Sequence, residues 1–108
     1  MNVLFVCSKN QWRSPTAERV WRKTEGLNVR SAGTSRSARR RVTVADIRWA
    51  DVIMVMEDKH HSRLRADFRD EVRHTPVHVL DIPDDYKFMD PELVELVRVK
   101  VQGLISED

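Results

Sequence analysis

Alternation of strand-length and helix-length segments constrains this chain more than any other feature of its sequence. Residues 3–6, Val-Leu-Phe-Val, form an apolar run too short for a helix and bounded by polar residues, which reads as a buried strand. Residues 52–56, Val-Ile-Met-Val-Met, read the same way. Residues 27–31, closed by Ala32-Gly33, and residues 76–80, with Pro76 tolerated at the start, complete the candidate strands. Helical segments lie between them. Ser14 and Pro15 mark the first, with Ser14 as N-cap and Pro15 at the first helical position, and that helix is expected to run to about Glu25 and stop at Gly26. Residues 42–50 predict a short amphipathic helix left at Asp51, and residues 58–68 predict another with Asp58 as its cap. Asp90-Pro91-Glu92 opens a last helix whose Leu93, Leu96, Val97 and Val101 form one stripe. The pattern predicts a single α/β domain over residues 1–108, with a four-stranded parallel sheet covered by helices on both faces.

In open parallel sheets ligands sit beyond the carboxyl ends of the strands, near the switch in strand order. Chemistry is therefore expected just after Val6, Met56 or Leu80. Composition narrows the class of protein further. With 41% hydrophobic and 33% charged residues the chain reads as soluble and globular. No apolar run approaches the length of a membrane span, and the first residues lack a basic leader, so neither a membrane nor a secretory signal is expected. One cysteine excludes an internal disulfide framework and points to a reducing, cytoplasmic setting. The net charge of +2 is weak support for a polyanionic partner, although Arg30, Arg36, Arg39, Arg40 and Arg41 crowd one segment.

The segment Cys7-Ser8-Lys9-Asn10-Gln11-Trp12-Arg13-Ser14 carries the most chemistry. A cysteine ends a strand, and an arginine follows six residues later at the mouth of a helix. The residues between them are enough for a loop to curl with its amides inward, a nest that binds anions at a helix N-terminus. The same positive potential favours a thiolate over a thiol. Arg13 offers a planar fork for two oxygens of a phosphoryl group, which lysine cannot imitate. Ser14 is also a candidate hydroxyl donor to the Cys7 sulfur. An acid is needed to protonate a departing oxygen, and Asp81, Asp84, Asp85 and Asp90 all lie near the end of the last strand, so spacing alone does not choose among them. His60, His61, His74 and His78 show no metal-ligand spacing and read as surface or satisfied side chains.

From Cys7 to Glu18 the chain resembles the signature of the low-molecular-weight protein tyrosine phosphatases, Cys-x-Gly-Asn-x-Cys-Arg-Ser-Pro. Ser31-Ala32-Gly33-Thr34 is similar to that family's Ser-Ala-Gly segment, residues 51–57 to its Asp-hydrophobic-Met-Glu strand, and Asp81-Ile82-Pro83-Asp84-Asp85-Tyr86 to its Ile-Pro-Asp-Pro-Tyr loop. The resemblance implies a three-layer fold and a two-step hydrolysis of phosphate monoesters without metal or other cofactor. Cys7 would be the nucleophile, Arg13 the phosphate clamp and Asp84 the general acid and base, with Asp85 as runner-up. Ser8, Lys9, Asn10, Gln11, Trp12, Arg13 and Ser14 would cradle the phosphate. Lys9 stands where the family has glycine, Trp12 where some relatives have a second cysteine, and the stretch between Gly33 and Asp51 is short. Tyr86 and Trp12 are the candidate aromatic walls of the cleft.

The expected partners are a phosphorylated protein, with phosphotyrosine first, or a small phosphomonoester, and the expected state is a monomer or weak dimer. Two other readings compete. One is a non-catalytic module that recognises phosphate through the same cradle. The other is a nucleic-acid-binding protein using the arginines of residues 36–41, which the small net charge disfavours.

Overall fold

A computed structural model describes residues 1–105. The chain runs β1 (Asn2–Cys7), α1 (Arg13–Trp21), β2 (Asn28–Gly33), α2 (Val44–Trp49), β3 (Val52–Val55), α3 (Asp58–Asp67), α4 (Arg69–Val72), β4 (Val77–Val79) and α5 (Pro91–Ile105). The strands form one parallel sheet in the order β2-β1-β3-β4, as the alternation predicts. From β1 the chain moves to one side to add β2 and then to the other to add β3. The direction of winding thus reverses at β1, and the crevice at its carboxyl end is the expected ligand site.

Successive side chains of a strand point to opposite faces, and both faces of β1 are apolar. Val3, Phe5 and Cys7 join Met54 in one layer with Ala17 and Trp21 of α1 and Leu93, Val97 and Val101 of α5. Leu4 and Val6 join Ile53 and Val55 in the other, against Ile47 of α2, Leu64 of α3 and Val72 of α4. The continuous apolar run at residues 3–6 reflects this two-sided burial.

Several boundaries differ from expectation. Ser14 is not an N-cap: α1 starts at Arg13, Trp12 precedes it without a side-chain cap, and the Trp12 carbonyl accepts from the Thr16 N–H. Pro15 falls in the first turn, where a missing N–H costs nothing. The helix ends at Trp21, because Arg22, Lys23 and Glu25 have no apolar face to bury, and the chain turns to Gly26 at φ 87°. Thr43 and Asp46 form a capping box at the start of α2. Glu57, not Asp58, stands at the N-cap of α3, and Phe68, at φ −135° and ψ 46°, ends α3 and separates it from the additional short helix α4. Asp90 does cap α5, accepting from the Glu92 N–H at 2.9 Å.

Candidate active site

All three strand ends singled out by the sequence meet in one place. Cys7, at the end of β1, is buried, and the loop after it folds back over the sulfur. Asn10 takes a left-handed conformation at φ 56°, which asparagine tolerates better than most residues, and its N–H points at the Cys7 Sγ from 3.3 Å. Ser14 Oγ lies 2.9 Å from the same sulfur. With its start shifted to Arg13, α1 turns the Ser14 hydroxyl toward Cys7 instead of toward its own backbone. Asn10 Nδ2 donates to Ser14 Oγ at 2.9 Å and to Ser31 Oγ at 3.0 Å, and Ser31 in turn donates to Glu18 at 2.5 Å. A polar chain anchored at Glu18 thus holds the loop around the sulfur.

Gly33 lets the loop sit this close. A Cβ on it would lie 2.5 Å from the Ser8 carbonyl oxygen and 2.6 Å from Ala38 Cβ. Backbone bonds fix the approach: Thr34 N–H donates to the Cys7 carbonyl, Ser35 N–H to that of Ser8 and Arg39 N–H to that of Lys9. Lys9 Nζ reaches Ser37 Oγ at 2.5 Å, so its charge lies along this second loop.

Arg13 is 2% exposed. Its Nη1 donates to Glu57 Oε1 at 2.5 Å and to the Ile82 carbonyl at 2.9 Å, using both protons of that nitrogen. Nε stands 3.5 Å from Asp84 Oδ1. Arg13 lines a small cleft with Cys7, Ser8, Lys9, Gln11, Trp12 and Asp84, and a guanidinium edge not taken up by protein partners can hold two oxygens of one oxyanion. Partial burial pushes the Glu57 carboxyl up, but the hydrogen bond and charge of Arg13 outweigh it and leave the group below its ordinary range. A paired, ionised Glu57 keeps the buried guanidinium compensated. Asp84 is 55% exposed and lines the cleft, whereas Asp85 does not. Asp81, at φ 55°, turns its carbonyl to Lys100.

His60 is buried, and both ring nitrogens are satisfied. Nδ1 accepts from the Glu57 N–H at 3.0 Å, so the ring proton belongs on Nε2, which lies 2.9 Å from Ser8 Oγ. With its oxygen accepting from His60, Ser8 keeps its own proton for the cleft. Burial first, and the Arg13 charge second, push the His60 pKa down to about 4. The ring is therefore neutral around pH 7.

Of the residues expected in the site, Cys7, Ser8, Lys9, Gln11, Trp12, Arg13 and Asp84 line one cleft, whereas Asn10 and Ser14 are buried beside the Cys7 sulfur and do not line it. The sequence assigns no site role to Glu57, Ser31 or Glu18; it marks His60 as a surface or satisfied side chain, and His60 is satisfied at both nitrogens beside the cleft. Glu57 and Ser31 stood inside quoted motif segments, but nothing local to them signals a partner contributed by the loop and helix that follow the neighbouring strand β1. Tyr86 is not a cleft wall: its ring packs on the core and its hydroxyl donates to Glu92 at 3.1 Å. Trp12, 39% exposed, is the aromatic residue lining the cleft. The arginine segment is partly structural, because Arg40 binds the Ser31 carbonyl and, with Arg30, the buried Asp46. Among the described residues no group of three or more His, Cys, Asp or Glu side chains is placed to hold a metal ion. No helix among them is long and apolar enough to cross a membrane.

Residues 2–45 match the family of low molecular weight phosphotyrosine protein phosphatases. That span holds the Cys7 loop, Arg13 and Gly33. The resemblance read from the sequence is thus found again, and it extends to the fold of nearly the whole chain. The low molecular weight protein tyrosine phosphatase SP-PTP from Streptococcus pyogenes superposes with a TM-score of 0.81 at 21% identity, covering 97% of this chain and 91% of that one. The tyrosine phosphatase Wzb from Escherichia coli K30, solved in complex with phosphate, gives 0.77 at 21% identity over 95% and 94%. The YwlE arginine phosphatase from Geobacillus stearothermophilus gives 0.70 at 19% identity over 97% and 93%. At these identities the likeness is one of fold, the low-molecular-weight phosphatase fold. No curated protein sequence matches the chain.

Proposed function

We propose that this chain is a cysteine-dependent phosphatase that hydrolyses phosphate monoesters through a phosphocysteine intermediate. The observation that carries the reading is the convergence of Cys7, Arg13 and Asp84 on one cleft at the switch point of the sheet, with Arg13 Nε 3.5 Å from Asp84 Oδ1. The Cys7 thiolate attacks phosphorus while Asp84 gives its proton to the departing oxygen; an S–P bond forms as the P–O bond breaks. Asp84 then takes a proton from water, whose oxygen attacks phosphorus, and the S–P bond breaks to release phosphate. Ser14, 2.9 Å from the sulfur, stabilises it as leaving group. Arg13 and the loop amides hold the equatorial oxygens through both steps.

The substrate is a phosphorylated protein residue, with phosphotyrosine first because Trp12 offers an aromatic surface at the rim. A fold shared with both tyrosine and arginine phosphatases makes phosphoarginine the necessary comparison. The test is turnover of para-nitrophenyl phosphate, followed by matched phosphotyrosine and phosphoarginine peptides. Wild type is expected to turn over the ester, Cys7→Ser to be inactive yet bind inorganic phosphate, and Asp84→Asn to lose on the order of a hundredfold in kcat. Phosphate binding by a wild type that is inactive across pH 5 to 8 would leave a recognition module instead.

A further inference from the structure

A second feature lies behind the loop that forms the cleft. Two shallow cavities of about 380 Å³ and 240 Å³ share Pro15, Glu18 and Arg39 as walls and so form one groove along the outer side of α1. Asn10, whose neighbours Lys9 and Gln11 line the cleft, lines the first cavity, and Phe88, 44% exposed, lines the second. Arg30 and Arg40 line the first part of the groove, Arg19 and Arg22 the second.

The charge of this groove is strongly one-sided. Arg30 and Arg40 share a single carboxylate, Asp46. The one acidic wall residue, Glu18, already accepts from Ser31. The guanidinium groups of Arg19, Arg22 and Arg39 have no hydrogen-bond or ion-pair partner among the described residues. In a chain of net charge +2 this is a concentrated positive field beside the cleft. The loop after β4 is the opposite, with Asp84 in the cleft wall and Asp85 exposed next to it.

We infer that the groove binds the acidic flank of a phosphorylated protein segment whose phosphoresidue enters the Cys7 cleft. This rests on the phosphatase reading and adds a substrate class to it. A continuous polyanion such as RNA, laid across groove and cleft, would meet the Asp84 and Asp85 carboxylates. A peptide with acidic residues on one side of its phosphoresidue meets arginines there and avoids like charge elsewhere. Phe88 adds an apolar contact in the second cavity.

The experiment compares two phosphopeptides, identical except that one carries four glutamates on one flank and the other four serines, with para-nitrophenyl phosphate as a substrate that has no flank. Wild type is expected to favour the acidic peptide by about tenfold in kcat/KM, through KM, with the preference shrinking as salt rises. In Arg19→Glu/Arg22→Glu/Arg39→Glu that preference should fall to about twofold or less while turnover of para-nitrophenyl phosphate is unchanged. The corresponding glutamine triple variant serves if the reversed charges prevent folding. Equal use of both peptides by wild type, or a preference that survives the triple variant, overturns the proposal. Should no substrate turn over, the phosphatase reading fails separately, and anisotropy with the unphosphorylated acidic peptide still decides the groove: binding lost in the triple variant supports it, and no binding overturns it. Binding of an RNA homopolymer in preference to the acidic peptide also overturns it.

Discussion

His60 couples the acid–base state of one buried ring to the shape of the cleft. In an unfolded chain a histidine protonates near pH 6.5, whereas His60 in the folded protein does so only near 4. As pH falls between those values the unfolded state takes up a proton that the folded state refuses, so folding weakens, by about 3 kcal/mol at the lower limit. Above pH 6.5 both states are neutral and the term vanishes. Glu57 and Asp46 have folded pKa values below their ordinary ones. Burial pushes each up, but hydrogen bonds from Arg13 and Arg40 respectively outweigh it. Their contribution is present above the ordinary carboxylate range and is lost as pH falls through the folded values. His60→Gln is expected to be less stable than wild type at pH 7 and to lose less between pH 6.5 and 4, read from urea midpoints. Parallel pH profiles in the two proteins would remove His60 as the source. Little of this was legible in the sequence. A cysteine and an arginine six residues apart announce an anion site by spacing alone, but the lowered pKa of His60 depends on its burial and on the charge of Arg13, which follows a different strand.

Among the elements, the carboxyl end of β2 decides how closely the loop after Cys7 can sit. A methyl group on Gly33 would collide with the Ser8 carbonyl and with Ala38. Gly33→Ala is expected to destabilise by about 1–3 kcal/mol and to lower turnover by about tenfold or more, because the loop is displaced from the sulfur. Gly103, inside α5, has open space where its Cβ would stand. Gly103→Ala should leave turnover unchanged and stabilise by about 0.5–1 kcal/mol. Turnover in Gly33→Ala equal to that in Gly103→Ala would show that the loop accommodates the methyl group. Strand and helix identities were legible because residues 3–6 and 52–56 are apolar on both faces and α5 carries a stripe. The start of α1 was not. Ser14-Pro15 reads locally as a cap followed by a first position, yet a hydroxyl drawn to the Cys7 sulfur and to Asn10 moves the helix start to Arg13. The short helix α4 was missed for a similar reason, since a single buried Val72 creates no period to detect.

For the molecule as a whole, the two apolar layers share one sheet and are expected to melt together. Leu93 is fully buried in the layer formed with α1 and α5, on the face opposite Ile47 and Leu64. Leu93→Ala should cost about 2–5 kcal/mol and shift the urea transition, followed by tryptophan fluorescence and by far-ultraviolet circular dichroism, without splitting it. Two separated transitions would mean that the layers unfold independently. The outer margin of β2 has a further consequence. Parallel pairing with β1 turns the backbone of Ser31 and Gly33 away from the sheet. The Gly33 N–H and carbonyl are taken by Arg40 and Val42, and the Ser31 carbonyl by the Arg40 guanidinium. Half of the border where another chain could dock as a fifth strand is already occupied by the protein's own loop, and the opposite border, β4, is only three residues long. Lateral growth into fibrils or strand-exchanged assemblies therefore finds little template on this molecule.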